Sequence, residues 1–389
     1  MKKQFAEYYN LPDERIKEIW DNSLIVLDTN VLLNLYRYNE EARNEFINII
    51  KSYKERLWIP YQVGFEFHRN RESIIIKNKV AYRLVKDKLT EQLDKFVNFL
   101  NSNGDLTRHP YIDTKDIQKR VTQFSASISK TLDKQQNEHP DYSQNDDILN
   151  AITELFDGRV GGDFADKDIE AIYKEGEKRY ANKVPPGYCD EKNKKDKGKR
   201  RLYGDLIVWK QTINHCKELE KDIIFITDDH KPDWWDEIGG KHTPRKELIR
   251  EFIDSTGQNI LIYDSSRFLD YAKRRNKVKV SPKTIREVEK VKQEDIETTQ
   301  RSEKAHYENI FRGINFDAIR ELSERLGQYS ASMRRMQEQI SSSIAVPTLN
   351  VEVPNVFQNS DEIVADFERQ RKELAQIISP NNNGIEDRN

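Results

Sequence analysis

The chain has 389 residues, and its 65 Lys+Arg against 67 Asp+Glu leave a net charge of −2. A near-neutral balance excludes a polycation, so any nucleic-acid surface must be a local basic patch. The length exceeds one simple core and calls for two domains, or one domain with large helical additions.

Residues 1–22 read as a helical lead-in. Leu24–Leu27 is a short apolar run ending on Asp28, as a buried strand does before a tight turn. Helical spacing covers Val31–Tyr38 and Glu40–Tyr53. Leu57-Trp58-Ile59 is a second strand, and Pro60 is placed to open the next helix. From Tyr61 the pattern stays helical to Leu100, breaks at Gly104 and Pro110, and resumes at 114–136, 146–157 and 165–181. This block, about 70–182, reads as a helical insertion forming a lobe over the sheet.

Residues 184–202 open with Val184-Pro185-Pro186-Gly187-Tyr188 and continue lysine-rich, which predicts a mobile loop carrying Lys192, Lys194, Lys195, Lys197, Lys199, Arg200 and Arg201. A helix at Tyr203–Leu219, a strand at Ile223–Thr227, a helix at Arg245–Ser255, a strand at Ile260–Tyr263 and a helix at Ser266–Arg275 follow. The alternation predicts an α/β fold with a mainly parallel sheet. Domain boundaries fall at 23–280 for the α/β domain and 281–389 for a helical extension. In that extension 282–343 is charged and helical, 345–358 is extended by its prolines, 361–378 is one more helix, and Pro380–Asn389 is a polar disordered tail.

The two cysteines, Cys189 and Cys216, form no CxxC and no zinc-spaced cluster, which suits a reducing compartment. Met1–Glu7 lacks the apolar stretch of a signal peptide, and no run approaches the roughly 18 apolar residues that span a bilayer. The expectation is a cytoplasmic protein without membrane contact.

Four places put acids where metal chemistry needs them. Asp28 ends the first strand, and Glu66 lies early in the helix after the second. Asp205 opens the helix Gly204-Asp205-Leu206-Ile207, and Asp228, with Asp229 beside it, ends the strand Ile223–Thr227. Strand ends and helix N-termini can converge on one edge of a parallel sheet. Mg²⁺ takes oxygen ligands. Two such ions roughly 4 Å apart can activate water and stabilise the leaving oxygen of a phosphodiester. The bland readings stand beside these. Asp28 can cap the next helix, Glu66 can pair with Arg69 or Arg71, Asp205 can serve the helix dipole, and one of Asp228 and Asp229 can cap a turn before Pro232.

Leu27-Asp28-Thr29-Asn30-Val31-Leu32, then Glu66, Gly204-Asp205-Leu206-Ile207 and Ile226-Thr227-Asp228-Asp229 together resemble the PIN domain. The long spacing from Glu66 to Asp205 is similar to the PIN-like subgroup with a large helical insertion. The resemblance covers about residues 20–275. It implies a nuclease using Mg²⁺ or Mn²⁺, with Asp28, Glu66, Asp205 and Asp228 as catalytic, metal-binding acids. Asp229 would assist or replace Asp228, and Asp233 is a more distant candidate. Thr29, Asn30 and Thr227 would orient carboxylates or a water.

The expected partner is nucleic acid, RNA before single-stranded DNA. Lys194, Lys195, Lys197, Lys199, Arg200 and Arg201 are candidates to grip phosphates, and so are Lys273, Arg274, Arg275, Lys277 and Lys279. A solvated charge run is the plain alternative for both stretches. Tyr188, Tyr203, Trp209, Trp234 and Trp235 are candidates for base stacking, with core packing expected of Trp209. His68 and His230 are not assigned as bases. Residues 282–378 suggest self-association or a partner protein. By resemblance, the biological role is that of a bacterial defence or toxin effector.

Two rivals remain. One is a catalytically silent PIN-like module that binds nucleic acid or protein. The other, a dehalogenase-type phosphohydrolase, needs Asp-x-Asp after the first strand, where this chain has Asn30. No Gly-rich phosphate loop or dinucleotide fingerprint occurs.

Overall fold

A computed structural model describes residues 1–2, 4–239, 241–276 and 280–312, together with Arg335. The chain divides into two compact units, Met1–Glu294 and Asp295–Asn389. The stretches 345–358, 361–378 and 380–389, and the side chains of Lys192, Lys277 and Lys279, lie outside the described residues.

The first unit opens with α1 (Asp13–Asn22), β1 (Leu24–Leu27), α2 (Thr29–Asn34), α3 (Glu40–Lys51) and β2 (Leu57–Trp58). The insertion follows as α4 (Tyr61–Ser102), α5 (Gly104–Thr107), α6 (Thr114–Glu138), α7 (Asp147–Phe156) and α8 (Asp166–Ala181). The chain then forms α9 (Glu191–Lys194), α10 (Lys199–Leu202), α11 (Gly204–Leu219) and β3 (Ile223–Ile226). It continues with β4 (Trp235–Ile238), β5 (Lys241–Pro244), α12 (Lys246–Thr256), β6 (Ile260–Tyr263) and α13 (Ser265–Asn276). The last described helix is α14 (Pro282–Arg312).

The four apolar runs form one parallel sheet in the order β2-β1-β3-β6. Ile25, Val26 and Leu27 of β1 and all four residues of β3 are fully buried. That is why these strands read as unbroken hydrophobic runs: a parallel sheet is covered on both faces. From β1 the chain crosses to β2 on one side, and β3 lies on the other. The crevice at the carboxyl ends of β1 and β3 is therefore the topological switch point of the sheet, where open α/β folds take ligands. Asp28 and Thr227–Asp229 follow those two ends.

The insertion is pinned to the segment after α2 by a part-buried polar knot. Tyr36 donates to Asp146 at 2.9 Å, Arg71 pairs with Asp146 at 2.5 Å, and Asp146 caps α7 by accepting from the Leu149 amide at 2.8 Å. Beside the main core, Ile169, Ile172, Tyr173 and Tyr180 pack on Leu202, Tyr203, Leu206 and Ile207 to make a small second one. This core sets the start of α11.

Two local readings change. Residues 184–202 are not an irregular loop but a string of short helical turns, with Asp190 and Leu202 buried. Lysine-rich composition hid the single buried carboxylate that organises them. The stretch after Asp229 forms the antiparallel hairpin β4–β5, a pairing that its charged residues did not announce. Trp209, Trp234 and Trp235 are all core residues, with Trp234 stacked on Phe225 at 5.3 Å. With Tyr203 also buried, none of these four rings is open to a base.

Candidate active site

Asp28 leaves β1 and caps α2, accepting from the Thr29 amide at 2.7 Å. Its other oxygen accepts from Thr227 Oγ1 at 2.7 Å and Asn30 Nδ2 at 2.9 Å. Thr227 Oγ1 in turn accepts from the Asp229 amide at 3.1 Å, and Asn30 Oδ1 accepts from the Asp228 amide at 2.9 Å. Asn30 and Thr227 therefore lock the end of β1 to the end of β3, with the Asp28 carboxyl between them.

Glu66 arrives from α4. Gln62, one turn earlier, donates to Glu66 Oε1 at 2.7 Å, and Thr29 Oγ1 lies 3.4 Å from Glu66 Oε2. Gln62 is itself oriented by Arg200, whose Nε donates to Gln62 Oε1 at 2.8 Å while its terminal nitrogens grip Asp163. Gly204 makes room for this carboxyl at the start of α11: a Cβ there would stand 2.5 Å from Glu66 Oε1. Asp205 follows at once, in the first turn of α11. Its Oδ2 is buried without a hydrogen-bond partner. Gly187 closes over it in a left-handed conformation (φ +91°), and a Cβ there would meet Tyr180 and Asp205.

The neighbouring residues Asp228 and Asp229 face different ways. Asp228 is buried and accepts from Asn34 Nδ2 at 3.0 Å, the Ser265 amide at 2.9 Å and Ser265 Oγ at 2.7 Å, which tie β3 to α2 and α13. Asp229 instead meets Lys231, accepting from its amide at 2.9 Å and its Nζ at 2.8 Å. The Lys231 ammonium also pairs with buried Asp190 at 2.7 Å, and Lys194 pairs with the same carboxylate. Asp233 is buried in the adjacent turn, where it accepts from the Cys189 amide at 3.0 Å.

The electrostatics follow from burial and crowding. Burial raises the Asp28 pKa to about 6, against the pull of its hydrogen bonds and with repulsion from Asp229 and Glu66. Asp205 is held well above the ordinary carboxylate range, first by burial; Asp190 and Asp229 add to the rise, while Lys194 and Lys231 oppose it. Burial also raises Asp228, whose charged neighbour is Asp264 rather than Asp28. Asp28, Glu66, Asp205 and Asp229 thus share one crevice. Among the described residues no three acids are drawn tightly enough together to make a ready ion cage. The donor set nevertheless suits a hard divalent cation: carboxylate oxygens only, one of them buried and unpartnered, with ammonium groups offsetting part of the charge.

Of the basic candidates, Lys194 turns into this crevice, Arg200 is committed to Asp163 and Gln62, and Lys199 lies 5.8 Å from the Tyr173 ring. Lys195, Lys197 and Arg201 are exposed. Sequence reasoning passed over Gln62, Asp190 and Lys231. The only signal for Asp190 was its place directly after Pro-Pro-Gly-Tyr-Cys, and for Lys231 its two-residue step from Asp229.

The profile of the PIN-like domain matches residues 24–248, more than half of the chain and every acid of the crevice. No curated protein and no solved structure gives a significant match. Among the described residues no helix is long and apolar enough to cross a membrane. With the parallel sheet and the order of its acids in place, the chain belongs to the PIN-like domain family, a nuclease superfamily.

Proposed function

We propose that the protein is a divalent-metal-dependent nuclease that hydrolyses phosphodiester bonds, with RNA favoured over DNA. The observation that carries the reading is Asp205, whose buried Oδ2 has no hydrogen-bond partner in a crevice shared with three other acids. A buried polar atom left unmatched is costly unless something pairs with it.

Asp28, Glu66, Asp205 and Asp229 are the residues that would hold Mg²⁺ or Mn²⁺. We give Asp229 rather than Asp228 the fourth place, because hydrogen bonds to Asn34 and Ser265 already use Asp228. Bound metal would supply an activated water and neutralise charge on the phosphate. The chain's own part is positioning. Thr227 and Asn30 fix Asp28, Gln62 braced by Arg200 fixes Glu66, and Lys231 brings a positive charge to the rim of the site. The assay is cleavage of labelled single-stranded RNA, single-stranded DNA and duplex DNA, with Mn²⁺ or EDTA, beside Asp28→Asn. Full activity of the variant with metal present would sink the assignment.

One observation favours a second reading, the silent binding module. The ammonium groups of Lys194 and Lys231 already offset the acids, and the described acids form no ready cage. Calorimetric titration with Mn²⁺ separates the two: binding that is lost in Asp205→Asn supports the nuclease, and no binding supports the module. A defence or toxin role follows from the resemblance; growth arrest on expression, abolished by Asp28→Asn, would support it. Association through 282–378, with self or partner, is proposed from that stretch's charged helical pattern, and sedimentation of the full chain tests it. A cytoplasmic location is proposed from cysteine usage.

A further inference from the structure

The first turns of α4 carry two stripes. Gln62 and Glu66 face the acids, while Tyr61, Phe65 and Arg69, four residues apart, form the adjacent stripe about 100° round the helix. The Tyr61 and Phe65 rings stack at 6.4 Å and 11°. Arg69 stands 5.3 Å from the Phe65 ring centre, and Arg200 stands 5.0 Å from it and 5.5 Å from that of Tyr61. Phe65 is nonetheless 37 % exposed. It borders an open hollow of about 710 Å³ between α4, the end of α7 and the segment 157–160, lined by Gly64, Phe67, Ile152, Phe156 and Val160. That volume falls within the range of small-ligand sites.

The cation at this rim is Arg69, which lines the hollow and whose Nε is buried without a hydrogen-bond partner. Arg200 and Arg201 repel it and Glu66 attracts it, while Arg200 is itself paired with Asp163 and Asp157 lies at the far side of the hollow. An arginine with an unpaired Nε beside an exposed ring on an apolar hollow calls for a ligand with a flat π-face and an anionic tail. The same helix carries Glu66, and the chain Arg200–Gln62–Glu66 joins this rim to the acids.

We propose that the hollow is a base subsite: an unpaired base of a single-stranded nucleic acid stacks on Phe65, and Arg69 takes the adjoining phosphate. Stacking of this kind is open to any base, so the site selects strandedness rather than sequence. A paired base cannot enter. The placing of this base next to the bond that is cut rests on the nuclease reading, while the binding itself does not.

The test is fluorescence anisotropy of a short fluorescein-labelled single-stranded RNA with the full-length Asp28→Asn protein in EDTA, with single-stranded DNA and duplex DNA as further arms. Phe65→Ala in that background should weaken single-strand binding about 5- to 150-fold, as loss of one base–aromatic stack does, and Phe65→Trp should keep it. Gly64→Leu should narrow the hollow that Gly64 lines, and its Cβ would stand in ordinary contact, 3.7 Å from Val160 Cγ1. Leucine is a strong helix former, so this variant should fold and still lose binding. Arg69→Gln should flatten the salt dependence by about one phosphate contact. Equal dependence on Phe65 with RNA and DNA supports the subsite, and the ratio of the two affinities names the preferred strand. Binding unchanged in both Phe65→Ala and Gly64→Leu, or no binding of any single strand, overturns it. Phe65-dependent binding, with no cleavage of any substrate by the parent protein in Mn²⁺, would instead sink the nuclease reading and leave the subsite standing.

Discussion

Gly204 and Glu66 occupy one space: the missing side chain of the first is filled by the carboxyl of the second, at 2.5 Å from where a Cβ would be. The glycine lets an acid from α4 lie against the residue that precedes Asp205. Gly204→Ala should therefore push Glu66 aside. A misplacement of about 1 Å can cost roughly 100-fold in rate, and cleavage should fall by that order. The melting temperature should barely change, because alanine is a better helix former than glycine. Parallel cleavage and melting measurements check it; wild-type activity would mean that the Glu66 position is immaterial.

The raised pKa of Asp28 makes a signed prediction. A folded pKa of about 6, above the unfolded value near 3.9, means that the folded protein holds an extra proton between about pH 4 and pH 6. This group's contribution to stability is present below that window and is lost as the pH rises through it. Asp28→Asn removes the effect. In EDTA the variant should gain on the parent by up to about 3 kcal/mol between about pH 4 and pH 7. Denaturant melts at the two pH values measure this. Cleavage should rise across the same window, because a metal ligand must be ionised.

Asp228 and Asp229 should separate cleanly. Asp228→Ala strands the buried donors of Asn34 and Ser265, at about 1–3 kcal/mol for each unsatisfied group. It should melt well below the parent. Asp229→Asn keeps the shape of the turn and should melt close to the parent, yet lose Mn²⁺ binding and cleavage. The reverse pattern would return the fourth ligand to Asp228.

Lys231 links Asp190 and Asp229 at 2.7 and 2.8 Å. Lys231→Met leaves those carboxylates without that charge beside Asp205. In EDTA the variant should be less stable by about 1–3 kcal/mol, and added Mn²⁺ should raise its melting temperature more than the parent's. Thermal scans with and without Mn²⁺ decide this, and an equal response in both proteins would count against a shared acidic crevice.

Much of the sheet was legible because a parallel sheet buried on both faces leaves contiguous apolar runs, and the central strands β1 and β3 are such runs, while the edge strand β6 is apolar but alternately buried. Asp28, Glu66 and Asp205 were legible as candidates for a related reason: each stands at a strand end or in the first turns of a helix, positions that the order of elements alone brings to one sheet edge. The different surroundings of Asp228 and Asp229 were not. Both follow the same strand, and what distinguishes their hydrogen bonding is Ser265, whose amide and hydroxyl arrive 37 residues later in the chain. Lysine-rich 184–202 looked like solvated loop because composition averages over the residues that stay outside, whereas its shape follows from Asp190, buried between Lys194 and Lys231. Phe65 could be placed on a helix but not at the edge of a hollow, since the opposite wall comes from α7 and the segment after it. Sequence by itself determined the four strands of the parallel sheet, the long helices that flank them and the set of candidate acids they carry. The tertiary structure decided which acid is paired, which is left open and which ring faces solvent, because hydrogen-bond partners and cavity walls come from segments far apart in the chain.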